Sequence, residues 1–242
     1  ILRLHAKNKP LSAHANLEHV AAECFGFSGA QLESVMNESA IYAMREEETE
    51  ISTHHLSMAI DKVMMGERTD RESTHEERKR VAIHELGHAI SAEALRPGSV
   101  SQISLRPRGR ALGYVRHLPP KEQYLYTKPY IEEQIMIALG GSVAEEMYYE
   151  GRSTGSKGDF EQALHLVKSM MEAGLTNLGI VDLQMITKEQ FMEENKRILN
   201  ELTERTRKLL EQYRDVFDKA LRSLIQEEYL SGKQFRDLMS VN

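Results

Sequence analysis

At 242 residues with 40% apolar side chains, the chain has room for one large or two ordinary domains and enough apolar material for a core, which excludes a disordered polypeptide. Its 31 Lys and Arg against 37 Asp and Glu leave a formal charge of −6, the wrong balance for a dedicated nucleic-acid binder. A single cysteine, Cys24, excludes a fold held by internal disulfides, and no apolar run approaches the ~18 residues needed to span a bilayer.

The first residue is Ile1 and no signal peptide opens the chain, so the sequence reads as a piece of a longer protein, with any membrane anchor outside it. Asn16 to Cys24 carries a helical stripe at Leu17, Val20, Ala21 and Cys24, ended by Phe25-Gly26-Phe27. Ser28 with Gln31 forms a capping-box signature for a helix through Leu32, Val35, Met36, Ala40 and Met44. Ser52 and Thr53 cap a further helix ending at Met64-Met65-Gly66. Residues 67–80 are almost wholly polar and read as a linker plus the solvated first turns of the next helix. That helix covers about 75–96 and stops at Pro97-Gly98. Val100–Leu105 and Ala111–His117 read as short strands joined by a turn over Arg106–Arg110, followed by a loop containing Pro and Tyr. Helical patterning returns over Tyr130–Leu139, is expected to break at Gly140-Gly141, and resumes from Ser142 to Tyr149. Gly151–Gly158 is a loop by composition, after which Asp159 opens a helix to about Ala173. Thr187–Gln212 is a long amphipathic helix, with further helices over about 214–228 and 231–239.

The segment with most chemical content is His84-Glu85-Leu86-Gly87-His88. On a helix, residues i and i+4 share a face, so both imidazoles can reach one zinc ion, and Glu85 can take a proton from an attacking water. The apolar flanks Val81-Ala82-Ile83 and Ala89-Ile90 place the motif on a buried helix; two core histidines that only hydrogen-bond are the plainer alternative. Catalytic zinc takes three protein ligands and keeps one position open. Ser91 and Ala94 stand where an extended HExxHxxGxxH pattern needs Gly and His, so the third ligand comes from elsewhere. His75, His117, Glu145, Glu146, Asp159 and His165 are candidates. Asp159 stands out among them because it follows a glycine-containing loop and starts a helix, which fixes a short carboxylate in place, although on residues alone an ordinary N-cap is the plainer reading. Glu145 and Glu146 could instead orient a ligand imidazole or lie on a solvated face.

Six sets of residues, in order, resemble the C-terminal half of the FtsH family of membrane-anchored AAA+ zinc proteases. They are GFSGAQL (26–32) with NESA (37–40), KVMMG (62–66), VAIHELGHAI (81–90), RPRGRALGY (106–114), LGGSVAEE (139–146) and STGSKGDFEQA (153–163). The resemblance covers about residues 1–175. It implies that His84 and His88 are zinc ligands, that Asp159 is the third, and that Glu85 is the catalytic glutamate. It also implies that Leu112, Gly113 and Tyr114 belong to an edge strand that pairs with an extended substrate. Ile83, Leu86 and Gly158 stand where the family usually has Tyr, Ala and Asn, and the stretch between Thr176 and Thr187 looks shortened.

The fold expected is mainly α: a helical AAA+ lid over 1–66, a linker and the start of the protease helix over 67–80, and a helical zinc metalloprotease domain with a small β-hairpin over 81–242. No G-x-x-x-x-G-K-[ST] phosphate loop occurs in the chain, so ATP and Mg²⁺ are expected only in a full-length protein. The resemblance implies a homo-hexamer acting on unfolded or membrane polypeptides, no nucleic-acid partner, and a protease domain on the cytoplasmic side of the membrane. A catalytically silent assembly module of an AAA+ chaperone-like ATPase is the alternative.

Overall fold

The computed structural model describes residues 1–69, 73–109, 111–118 and 125–240. These fall into two compact units. One comprises the described residues of 1–72 together with those of 106–112 and 117–119; the other comprises those of 73–105, 113–116 and 120–242.

The first unit holds α1 (Leu2–His5), α2 (Leu17–Glu23), α3 (Gly29–Arg45) and α4 (Thr53–Met65). The expected caps form. Ser28 and Gln31 close a reciprocal capping box on α3, and Ser52 closes another on α4 with the His55 imidazole as its second half. Val20, Val35, Met36, Leu56, Ala59 and Ile60 make the core of this unit. The 106–112 segment packs here too. Arg108 is buried 3.8 Å from the Asp61 carboxylate and donates to the Gly66 carbonyl. The Thr69 N–H donates to Pro107, and the Gly109 N–H to Glu67. Gly109 sits at φ 52°, and a β-carbon there would stand 2.6 Å from the Met65 carbonyl oxygen, so only glycine fits.

The second unit holds α5 (His75–Leu95), β1 (Val100–Ser104), β2 (Tyr114–His117), α6 (Lys128–Tyr148), a 3₁₀ turn (Thr154–Ser156), α7 (Lys157–Glu172), α8 (Lys188–Gln212), α9 (Arg214–Glu227), β3 (Tyr229–Ser231) and α10 (Gly232–Met239). Helices α5 and α6 are buried on most of their circumference, as central helices are, whereas α8, α9 and α10 are strongly amphipathic: α8 and α9 pack on the central helices and α10 on β1, β3 and α9, with Ile198, Leu202, Leu210, Phe217, Leu224 and Phe235 inward.

The fold is mainly α with a small sheet, as expected, but four details differ. The second strand starts at Tyr114 rather than Ala111, because Arg108 and Ala111 exchange backbone hydrogen bonds around the turn instead. The sheet gains a third strand: its order is β2-β1-β3, and β3 pairs antiparallel with β1 in the register Gln102↔Ser231, Ile103↔Leu230 and Ser104↔Tyr229. Three residues give too short a pattern to read from sequence. Helix α6 runs unbroken through Gly140-Gly141. Finally, α7 starts at Lys157, which makes Asp159 the third residue of the helix rather than its first. Parts of the expected linker (residues 70–72), of the turn (Arg110) and of the Pro- and Tyr-containing loop (119–124) lie outside the described residues.

Candidate metal centre

Helix α5 presents His84 and His88 on one face, one turn apart, and that face meets α6 at its two glycines. A β-carbon on Gly140 would lie 2.5 Å from the Gly87 carbonyl oxygen, and one on Gly87 would lie 2.2 Å from that of Gly140. A β-carbon on Gly141 would lie 2.6 Å from both His84 Cε1 and His88 Nε2. The glycines therefore serve close helix approach. Their cost in helix propensity, roughly 1 kcal/mol each against Ala, is offset by the packing they permit.

Each imidazole has one nitrogen committed to a protein acceptor. His84 Nδ1 lies 2.9 Å from Glu145 Oε1, and His88 Nδ1 lies 2.8 Å from the Ile137 carbonyl oxygen. Both Nδ1 atoms therefore donate, which leaves the two Nε2 atoms with lone pairs. Those lone pairs converge: the Nε2 atoms are 3.0 Å apart, and Asp159 Oδ2 lies 3.1 Å from that of His84 and 3.5 Å from that of His88. Three acceptors facing one point repel one another unless a cation sits among them. A tetrahedral zinc with ligands at about 2.0–2.1 Å would hold its ligand atoms about 3.3–3.4 Å apart, close to these three separations. Among the described residues, His84, His88 and Asp159 form the one group of three His, Cys, Asp or Glu side chains placed to share a metal ion.

The protonation balance carries the same message. Burial works to lower the His84 imidazole, but the Asp159 and Glu145 carboxylates against it prevail and push it up to about 10. Burial works to raise Asp159, but its attraction to the His84 and His88 imidazoles prevails and holds it well below the usual carboxylate range. The cluster thus attracts positive charge, as a proton or as a metal ion. Glu85, half-buried beside it, is raised by burial against the pull of His88 and His84.

Of the other candidates, Glu145 is fully buried and holds His84 from behind, on the nitrogen that points away from the cluster. Glu146 pairs with Arg152 and Arg207. His75, at the start of α5, His117, at the end of β2, and His165, on α7, are exposed and do not join the cluster. Tyr114 opens β2, an edge strand of the sheet, and Gly113 just before it abuts α5: a β-carbon there would meet Val81 Cγ1 at 2.7 Å and Glu85 Cγ at 3.1 Å. Leu112 precedes the strand. Sequence reasoning missed Gly141; its signal was a glycine pair inside a helical apolar pattern, which marks close packing as well as a break.

Comparisons with known proteins find relatives along nearly the whole chain. The chain is 33% identical over 263 aligned positions to the ATP-dependent zinc metalloprotease FtsH 2 of Salinibacter ruber, covering 99% of this chain and 38% of that protein. It is 38% identical over 172 positions to the ATP-dependent zinc metalloprotease FtsH of Marinobacter nauticus, covering 71% and 27%. Against FtsH 1 of a Thermoanaerobacter species it is 33% identical, covering 99% and 43%. The chain thus spans about two fifths of the relatives it matches end to end. An alignment of 263 positions on 242 residues means that relatives carry residues this chain lacks within the matched span. The AAA+ lid domain model matches residues 14–58. The model of peptidase family M41 matches residues 71–194, half of the sequence and all of the cluster, and the chain belongs to that family.

Proposed function

We propose that this chain is a zinc-dependent endopeptidase in which His84, His88 and Asp159 hold Zn²⁺ and Glu85 is the general base. The observation that carries the reading is the convergence of three lone pairs at zinc-compatible separations, with both imidazole tautomers fixed from outside. Bound there, zinc would supply Lewis-acid activation of the scissile carbonyl and of the attacking water. Glu85 takes the proton from that water and returns it to the departing amine nitrogen. Its raised affinity for a proton suits a base that must also act as an acid. Edge strand β2, with Leu112, Gly113 and Tyr114 at its start, would bind an extended substrate by strand addition, and the approach of Gly113 to Glu85 supports placing the scissile bond there.

Residues 1–66 are the lid of an AAA+ module, 67–80 the linker and start of the protease helix, and 81–242 the protease domain. In a full-length protein resembling its relatives, ATP and Mg²⁺ would drive unfolded or membrane polypeptides into a homo-hexamer anchored in a membrane, with the protease on the cytoplasmic side. No helix among the described residues is long and apolar enough to cross a membrane. Metal analysis of the purified chain together with a chelator-sensitive casein assay tests the proposal. One zinc per chain and cleavage lost on chelation are expected; a chain with neither would reject it.

A further inference from the structure

The polar stretch that ends at Arg80 is not wholly solvated. Arg80 lies one turn ahead of His84 on α5, and its guanidinium turns towards the back of the metal centre. Its Nη1 donates to Glu145 Oε2 at 2.9 Å and to the Gly151 carbonyl at 3.2 Å, while the guanidinium carbon stands 4.0 Å above the centre of the Tyr149 ring. The other Glu145 oxygen takes the His84 Nδ1–H and the Ser153 hydroxyl, the latter at 3.0 Å.

Glu145 is completely buried, and a buried carboxylate needs an opposite charge and full hydrogen bonding to be tolerated. Ser153 and His84 supply bonds to one oxygen; Arg80 supplies the charge and the bond to the other. The same guanidinium reaches Gly151, where the chain leaves α6 for the 3₁₀ turn and the helix carrying Asp159. One side chain thus links the helix bearing His84 and His88, the residue that orients His84, and the approach to Asp159. A planar guanidinium meets the geometric demand because it can stack on Tyr149 and donate in its own plane at once.

We propose that Arg80 is a positioning residue of the metal centre: acting through Glu145, it fixes the His84 imidazole and so raises the affinity for a divalent metal. The proposal rests on reading His84, His88 and Asp159 as ligands. Removing a partner that orients a metal ligand typically weakens metal binding about 10–100-fold.

The test is zinc affinity, by competition with a chromogenic chelator, of the 242-residue chain and of Arg80→Gln, Arg80→Lys, Glu145→Gln and the Arg80→Gln/Glu145→Gln double variant. Arg80→Gln and Glu145→Gln should each bind zinc about 10–100-fold more weakly. The double variant should bind no more weakly than the weaker single variant, because Arg80 works through Glu145. Arg80→Lys should restore part of the loss, since an ammonium also neutralises the Glu145 oxygen but does not stack on Tyr149 as a guanidinium does. Affinity of Arg80→Gln within about twofold of the parent, losses that multiply in the double variant, or a Lys variant as weak as Gln would overturn the proposal. Should Arg80→Gln not fold, Arg80→Met, which keeps the stem against Tyr149, takes its place. A parent chain that binds no zinc would instead reject the ligand reading itself.

Discussion

Gly141 and His88 face each other so closely that a β-carbon on the glycine would sit 2.6 Å from the imidazole Nε2. That distance makes the glycine part of the site. Gly141→Ala should displace both imidazoles, weaken zinc binding, and lower stability by about 1–3 kcal/mol, the usual range for overpacking. Gly151→Ala, with open space around its β-carbon, is the matched control and should leave zinc affinity and denaturation midpoint near those of the parent. Equal behaviour of the two variants would refute the packing role assigned to Gly141.

Glu85→Gln removes the base and spares the ligands. Zinc content should stay at one per chain while casein cleavage falls by at least about 10²-fold, the low end of general-base contributions. Cleavage near the parent rate would take the role of base away from Glu85.

Asp159→Asn separates a ligand from a helix-start carboxylate. In the metal-free protein the variant loses the helix-dipole contribution of the charge, roughly 0.3–1 kcal/mol, together with the pairing of Asp159 with His84, so its destabilisation should be greatest below pH 6.5 and shrink as pH rises towards 10. Zinc affinity and activity should both collapse. Full zinc occupancy in Asp159→Asn would reject the third ligand.

Acidity should reveal the cluster in the metal-free protein. Asp159 is held below its ordinary value of 3.8, so its contribution is present above that pH and is lost only well into acid. His84 is pushed up from 6.5 to about 10, so its contribution is complete below pH 6.5 and is lost as pH rises towards 10. The stability advantage of the chelated parent over His84→Gln should therefore be greatest near pH 5–6 and shrink steadily to pH 10. Zinc, which competes with that proton, should bind more tightly over the same rise. An advantage that grew with pH, measured by denaturant midpoints, would contradict the assignment.

The chain contains no phosphate loop, so the 242 residues should hydrolyse casein slowly, without ATPase activity and without stimulation by ATP. Unfolding a stable domain takes roughly 5–15 kcal/mol, so folded substrates should survive. ATP-stimulated degradation of a stably folded protein would overturn the domain reading.

Helix starts were legible wherever a side chain caps them, as at Asn16, Ser28, Ser52 and Thr187, because capping is local chemistry. The His84–His88 pair was legible because helical spacing fixes its face. Asp159 was legible only in part: its place after a glycine-containing loop at a helix start marked it among the candidates, but an ordinary N-cap explained that as well or better, because its carboxylate reaches the imidazoles across 75 positions of chain. The uninterrupted α6 was hidden for the opposite reason. Glycine weakens an isolated helix, and its value here lies in a neighbour that sequence does not place beside it. Tyr229–Ser231 pairs with β1 across more than 120 residues, a partnership with no local signature at all.

The burial of Arg108 has a practical consequence for anyone dissecting the protein. Excising residues 73–242 as a protease fragment would carry off the 106–112 segment but leave behind Asp61, Gly66 and Glu67, which fix its path. The guanidinium would be stripped from its pocket, and the connection feeding β2 would lose its anchor at the point where the edge strand begins. A boundary drawn ahead of α4, keeping Thr53–Met65 and the residues up to Thr69, retains those contacts. Solubility and strand order in truncated proteins should follow that choice rather than the start of the protease helix.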